Sequence, residues 1–479
     1  MRERVTRRTM LRMTGGAGIG LALRSAFAEP SVATFADSKR PETADRRFNS
    51  IAVEEYLAQT SKRIADPELA WLFNNCYPNT LDTTVRPGRF EGKPDTTVIT
   101  GDIAAMWLRD SSAQVWPYLP LASKDVALRE LLEGVLRRQV RCILIDPYAN
   151  AFMTDLGAAT PLPWSVNDKT EMKPGVGERK WEIDSLCYPM RLAHGYWKQT
   201  GDTRPFDGQW VQAMKLAVAT MRVQQRKHGV GPYRFQRSSS IATETQPADG
   251  FGNPVKPVGL IASGFRPSDD ACTFPFLVPS NLFAATSLLQ MANIAHEVAK
   301  DDALANEAES LAAEVAVALR QYAVANTAQG TIWAYEVDGF GGQLLMDDAN
   351  VPSLLGLPYL VSSADAALYA RTRQFVWSER NPWFFRGDAG EGVGGPHVGK
   401  DMIWPMSQII YALTSDSGAE IAKALRMLKV SSAGSGFMHE SFSKDDATHY
   451  TRSWFAWANT LFGELVGGLA ASNPALLRA

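Results

Sequence analysis

A few loops of this sequence concentrate the side chains that do chemistry on polar substrates. In Gly264-Phe265-Arg266-Pro267-Ser268-Asp269-Asp270-Ala271-Cys272 two adjacent carboxylates precede an apolar run. Like charges that close repel, and burial of one would keep it protonated near neutral pH, as a general acid requires. Ser268 or Asp269 could equally cap a helix there. Gly436-Phe437-Met438-His439-Glu440-Ser441-Phe442 is a small-residue loop that delivers His-Glu, or else a solvated turn. Thr100–Ser111 places Trp107 beside Arg109 and Asp110. Such an Asp can accept from adjacent sugar hydroxyls while the Trp covers an apolar face; a buried salt bridge under a core Trp fits the same residues. Carboxylates and aromatics recur in Trp181-Glu182-Ile183-Asp184, Met346–Pro352 (with Asp347 and Asp348) and Trp454–Asn459. Paired carboxylates suit glycosidic cleavage, where one protonates the leaving oxygen and the other acts on the opposite face.

The elements that must position these loops are mostly helical. After Pro279-Ser280, with Ser280 as a candidate N-cap, Leu282, Ala285, Leu288, Leu289, Ala292, Ala295 and Val298 fall on one helix face. Leu304, Ala308, Leu311, Val315, Leu319 and Tyr322 repeat the pattern after Asp301-Asp302, which makes an antiparallel helix pair. Similar spacing predicts helices over Ala52–Ala65, Leu69–Cys76, Ala104–Tyr118, Asp125–Ile143, Asp184–Trp197, Trp210–Val223, Ala364–Trp377, Met402–Leu413, Glu420–Val430 and Trp454–Leu469. Strand-like runs are short: Thr97–Thr100, and a hairpin of Thr331–Val337 with Gln343–Met346. The expectation is an all-α fold, one toroid of helical hairpins with a small β-hairpin, whose long loops gather at one end around a pocket.

Other chemistries find little support. With 49 Lys+Arg against 51 Asp+Glu there is no basic excess to neutralise phosphates, so no nucleic-acid partner is expected. Cys76, Cys142, Cys187 and Cys272 stand far apart, and six scattered His give no metal-ligand spacing, so no metal and no cofactor is expected. Gly390–Gly395 fits G-x-G-x-x-G, but no strand precedes it and Pro396 follows where a helix should begin. Ser441-Phe442-Ser443-Lys444 fits S-x-x-K without the partner motifs of acyl-serine enzymes. Asp347-Asp348 could donate oxygens to calcium.

The first residues resemble an address. Thr6-Arg7-Arg8-Thr9-Met10-Leu11-Arg12, a Gly-rich apolar run over Met13–Leu23 and Ala26-Phe27-Ala28 have the pattern of a twin-arginine export signal over residues 1–28. The apolar run is shorter than the ~20 residues a membrane span needs. Residues 29–49 are polar and expected to be a tether, and residues 50–479 a single catalytic domain of a monomer that works outside the cytoplasm, without a membrane partner once mature.

The loops together resemble the exo-α-1,6-mannosidases of glycoside hydrolase family 125. The matching segments are Thr100–Ser112, Asp146–Phe152, Glu178–Pro189, Phe265–Asp270, Val278–Asn281, Tyr335–Gly339, Met346–Leu355, Met438–Phe442 and Arg452–Asn459, in order over nearly the whole mature chain. The resemblance implies an (α/α)6 barrel and metal-free, inverting release of terminal α-1,6-linked mannose from a mannose-containing glycan. It implies Asp269 as general acid and Glu440 as general base. Candidate substrate-binding residues are Trp107, Arg109, Asp110, Asp184, Arg266, Asp270, Asp348, His439, Trp454 and Asn459. The segments Thr154–Gly177 and Arg237–Gly259 look individual to this chain and could change the aglycone it tolerates.

Overall fold

The computed structural model describes residues 35, 37–361 and 365–478. Its helices are α1 (Ile51–Ser61), α2 (Pro67–Cys76), α3 (Leu108–Val115), α4 (Val126–Ile145), α5 (Ile183–Thr200), α6 (Gly208–Gln224), α7 (Val278–Ile294), α8 (Asp302–Tyr322), the single turn α9 (Leu357–Leu360), α10 (Ala366–Val376), α11 (Pro405–Leu413), α12 (Gly418–Ser431) and α13 (Ala456–Ser472). The odd-numbered helices from α3 onward form an inner ring: α3 packs on α5, α5 on α7, α7 on α9, α11 on α13, and α13 closes back on α3. The outer layer is α4, α6, α8, α10 and α12, completed by α1 and α2. This is the (α/α)6 toroid.

Burial separates the two layers. Every residue of α3 is buried, as is almost all of α11 and α13, because a helix surrounded by other helices has no solvent face. The outer helices carry the amphipathic stripe on which sequence periodicity depends; α8 buries Leu304, Ala308, Leu311, Val315 and Leu319 and exposes its other side. Capping separates them as well. Outer-layer helices start on a side-chain N-cap: Ser50, Asp66, Asp125, Asp207, Asp301, Asp365 and Ser417 each accept from backbone N–H groups of the first turn. None of the six inner helices has such a cap. Ser280 is therefore not the N-cap of α7, which already begins at Val278; its hydroxyl is buried inside the first turn.

Short antiparallel strands lead into three inner helices instead. Ala105–Trp107 pairs with Ala151–Met153, which pairs with Val176–Glu178, ahead of α3. Phe276–Leu277 pairs with Glu336–Val337 ahead of α7, and Met402–Ile403 with Phe442–Ser443 ahead of α11. The expected single hairpin is thus one of several small sheets. Its strands are narrower than expected, Glu336–Val337 with Gln343–Leu344, and Gly330–Trp333 pairs elsewhere, with Val324–Thr327. The expected helix over Ala104–Tyr118 is interrupted because its first residues belong to a sheet.

The first 34 residues, with the export signal, lie outside the described residues. The following part of the segment expected to be a tether does not hang free. Arg40 pairs with Asp82 at 2.7 Å and also contacts Glu54, Lys39 N donates to Asn75 at 2.9 Å, and Trp71 Nε1 donates to the Asp37 carbonyl at 2.8 Å. Low hydrophobicity predicted freedom, but charge pairing to a buried Asp holds this stretch. No described helix is long and apolar enough to cross a membrane.

Candidate active site

The N-termini of the inner helices meet at one end of the toroid, and the carboxylate-bearing loops converge there. A small cleft is lined by Arg109 and Asp110 from α3, Ser268 and Asp269, Asn350, His397 and Trp404, Glu440, and Phe455 and Trp457 at the start of α13. Uncapped helix N-termini carry partial positive charge, which suits an end of the barrel so rich in acidic groups.

Asp269 is buried and held in left-handed backbone, φ +70°, inside a tight loop. Asp269 N donates to Arg266 O at 2.9 Å, Arg266 N donates to Asp270 O at 2.8 Å, and Phe265 bridges Ala271. A non-glycine residue is rarely placed in this conformation, and such strain persists only where the surroundings enforce it. Here Arg266 does so from behind the cleft. Its Nε donates to Glu336 at 2.6 Å, and the other Glu336 oxygen accepts from Thr273 N and Phe274 N. Both members of the pair are buried, and Arg266, unlike the equally buried Arg109, is not among the residues lining the cleft, so it anchors the loop.

On the α3 wall, Arg109 Nη1 lies 2.6 Å from Glu182 and 3.0 Å from Asp184, and its Nε lies 3.5 Å from Asp110. Burial opposes the guanidinium charge, but Glu182, Asp184 and Asp110 outweigh it and hold Arg109 charged. Burial pushes the carboxyls of Glu182 and Asp184 upward against the pull of Arg109. Asp110 also accepts from Thr100 Oγ1 at 2.7 Å.

Glu440 comes from the loop ahead of α13, the helix that packs beside α3. Thr451 Oγ1 donates to its Oε2 at 3.0 Å, and Arg452 Nη1 stands 3.5 Å from Oε1. Arg452 also donates to the Thr100 carbonyl at 3.1 Å and contacts Asp102, tying this loop to the one ahead of α3.

Of the residues expected to bind substrate, Arg109 and Asp110 are on the cleft wall, together with both expected catalytic carboxylates. The others are not among its lining residues. His439 turns away: its ring nitrogens contact the carbonyls of Arg452 at 2.9 Å and Ser432 at 3.2 Å, and it stacks on Tyr450 at 3.8 Å. Neighbouring residues of an extended loop project in opposite directions, so seating Glu440 in the cleft drives His439 into the scaffold. Asn459 accepts from Met438 N at 2.7 Å and donates to Asn79, bracing the Glu440 loop. Trp107 packs in a satellite cluster with Ala105, Ala151, Leu162 and Trp164. Asp184 pairs with Arg109 behind the wall. Trp454 lies half-buried at the rim against Gly101. Asp270 stands 3.9 Å from His397 Nδ1, and Asp348 accepts from Asn350 N and Nδ2.

Sequence reasoning missed His397 and Trp404 altogether. His397 follows the glycine-rich stretch set aside as a chance nucleotide motif. That stretch approaches closely: a Cβ at Gly395 would stand 2.8 Å from Asp348 Oδ2. Pro396-His397 directly after glycines, near a Trp, was the available signal. The calcium reading fits poorly. Asp347 spends both oxygens on the N–H groups of Leu354 and Leu355, at 2.8 and 2.9 Å.

The sequence pattern of the family described as metal-independent alpha-mannosidase (GH125) matches residues 66–467. The meiotically up-regulated gene 157 protein of Schizosaccharomyces pombe is 39% identical over 459 residues, covering 92% of this chain and 90% of its own length. A solved Streptococcus pneumoniae structure, described among metal-independent alpha mannosidases as a non-productive complex with alpha-1,6-mannobiose, is 40% identical. It superposes with a TM-score of 0.84 over 89% of this chain and 100% of its own. A bacterial glucoamylase complexed with acarbose, 13% identical, reaches a TM-score of 0.51 over 88% of this chain and 59% of its own, a likeness of fold alone. With the match running through the loops that build the cleft, the chain belongs to glycoside hydrolase family 125 and is an α-mannosidase.

Proposed function

We propose that this protein is an exo-acting α-1,6-mannosidase that releases terminal non-reducing mannose with inversion, with Asp269 as general acid and Glu440 as general base. The observation that carries the reading is that these two carboxylates, brought from distant loops, line the same small cleft. Asp269 gives its proton to the glycosidic oxygen as the bond to the anomeric carbon breaks. Glu440 takes a proton from a water whose oxygen forms the new bond on the opposite face. Thr451 and Arg452 orient the Glu440 carboxylate for that water. Arg109 and Asp110 grip hydroxyls of the terminal mannose, while Trp404, Phe455 and Trp457 offer apolar faces. The α-1,6 preference is supported by the mannobiose bound to the pneumococcal relative.

The test is hydrolysis of α-1,2-, α-1,3- and α-1,6-linked mannobioses followed by proton NMR. The expected result is selective cleavage of the 1,6 linkage with β-mannose appearing first. Asp269→Ala and Glu440→Ala should each lower kcat by about 10²–10⁴-fold with the fold intact. First appearance of α-mannose, or near-normal turnover by Glu440→Ala, would retire the mechanism. An inverting geometry further requires carboxyl groups roughly 6.5–9.5 Å apart in a substrate complex, against about 5–5.5 Å for retention. The proposal extends to location: Arg7 and Arg8 direct export of the folded chain, so R7K/R8K should accumulate in the cytoplasm.

A further inference from the structure

Asn150 stands behind the cleft wall, fully buried, just ahead of the strand Ala151–Met153. Its Nδ2 lies 3.1 Å from Glu178 Oε2, 3.4 Å from Glu182 Oε1 and 3.3 Å from Asp269 Oδ1. Its Oδ1 accepts from Lys180 N at 3.1 Å, and Lys180 Nζ donates at 2.8 Å to the main-chain carbonyl of Asp269. One side chain therefore holds Asp269 at both ends, the carboxyl directly and the left-handed backbone through Lys180.

The arithmetic of donors makes this more than a brace. An amide nitrogen has two hydrogens, so it serves at most two of three carboxyl oxygens at once. Glu178 receives Arg237 Nη2 at 2.9 Å and Trp164 Nε1 at 3.1 Å on its other oxygen. Glu182 receives Arg109 Nη1 at 2.6 Å and Ser185 Oγ at 2.8 Å on its other oxygen. We infer that Asn150 is the positioning residue of the acid: it serves the two glutamates while Asp269 carries its proton and turns a hydrogen to Asp269 when that proton has been given away. The inference rests on Asp269 being the general acid. In the step concerned the Asp269 O–H bond breaks, the proton passes to the glycosidic oxygen, and the electron pair left on Asp269 is met by the amide hydrogen. Nothing is bonded to or lost from Asn150.

A role tied to charge on the acid depends on how much the leaving group needs a proton. The experiment compares Asn150→Ala with wild type on α-1,6-mannobiose, whose sugar leaving group needs protonation, and on 2,4-dinitrophenyl α-mannoside, whose phenolate does not. For Asn150→Ala, kcat on mannobiose should fall at least about 10-fold, with kcat on the aryl mannoside and KM on both changing less than about 3-fold. The ratio of the two kcat values from one preparation is independent of the folded fraction, and Asn150→Ser serves if the Ala variant does not accumulate. Equal losses on both substrates would make Asn150 merely structural and overturn the inference. Asp269→Asn, run alongside, should show the same leaving-group dependence more strongly. If Asp269→Asn lost equally on both substrates, the acid assignment itself would fail and this inference with it.

Discussion

Replacing Arg266 by Met should unfasten the acid-bearing loop. Arg266 and Glu336 are buried and bonded at 2.6 Å, and Glu336 also accepts from Thr273 N and Phe274 N. Removing only the cation leaves Glu336 as an uncompensated charge in the protein interior, a change that costs about 3–5 kcal/mol. A folded chain of 479 residues changes stability by about 1 kcal/mol per degree near its midpoint, so Tm should fall by roughly 3–5 °C. The loop that holds Asp269 at φ +70° loses its anchor at the same time, so kcat should fall more than KM rises. Adding Glu336→Gln should recover much of the lost stability, since no charge is then stranded, but not the activity. The assays are differential scanning calorimetry and steady-state kinetics on one preparation. A Tm shift under about 1 °C with unchanged kcat would refute the reasoning, as would a double variant less stable than Arg266→Met.

Burial pushes the Asp347 carboxyl up to about 8, so the native state holds a proton there that the unfolded chain releases near pH 4. Stability from this group is present below about pH 4 and lost as pH rises toward 8, with a slope near 1.4 kcal/mol per pH unit. Asp347→Asn should flatten that part of the pH–stability curve, read by urea titration at pH 5, 6 and 7; an unchanged slope would count against it. Gly395→Ala should place a methyl 2.8 Å from Asp348 Oδ2, shift the segment carrying His397 and lower activity, whereas Gly399→Ala, where a Cβ meets nothing, should mainly pay for its positive φ. EDTA should leave activity intact; loss restored by Ca²⁺ would revive the calcium reading. The four thiols are buried, and burial raises the pKa of each, so Ellman's reagent should react only after denaturation.

How much was legible differs element by element. The outer helices could be read because half of each faces water, which leaves a 3.6-residue stripe, and because Asp or Ser marks where each starts. α3 could not be bounded, since a helix buried on all sides has no stripe and its first residues are preceded by a strand whose partner, Ala151–Met153, lies far along the chain. α9 was missed because four residues carry no period.

The motifs that carry Asp269 and Glu440 could be read in the chain, but the roles of general acid and general base came from the family resemblance; the residues alone left the Asp269-Asp270 pair open to helix capping and the Glu440 loop to a solvated turn. Which neighbours face the cleft was a tertiary decision. His439 and Glu440 are adjacent in sequence, yet one points into the scaffold and the other lines the cleft. Arg266 and Arg109 are both buried arginines from conspicuous motifs, and only the location of Glu336 and of the Glu182–Asp184 pair makes the first an anchor and the second a wall. His397 lies in a stretch whose glycines have no stated purpose until Asp348 is packed against Gly395. Sequence alone sets residue type, local period and capping, all short-range properties of the chain. Direction, burial and the count of donors around each carboxyl depend on contacts between residues far apart in the chain, such as Asn459 with Asn79, 380 positions away, and these exist only once the ring has closed.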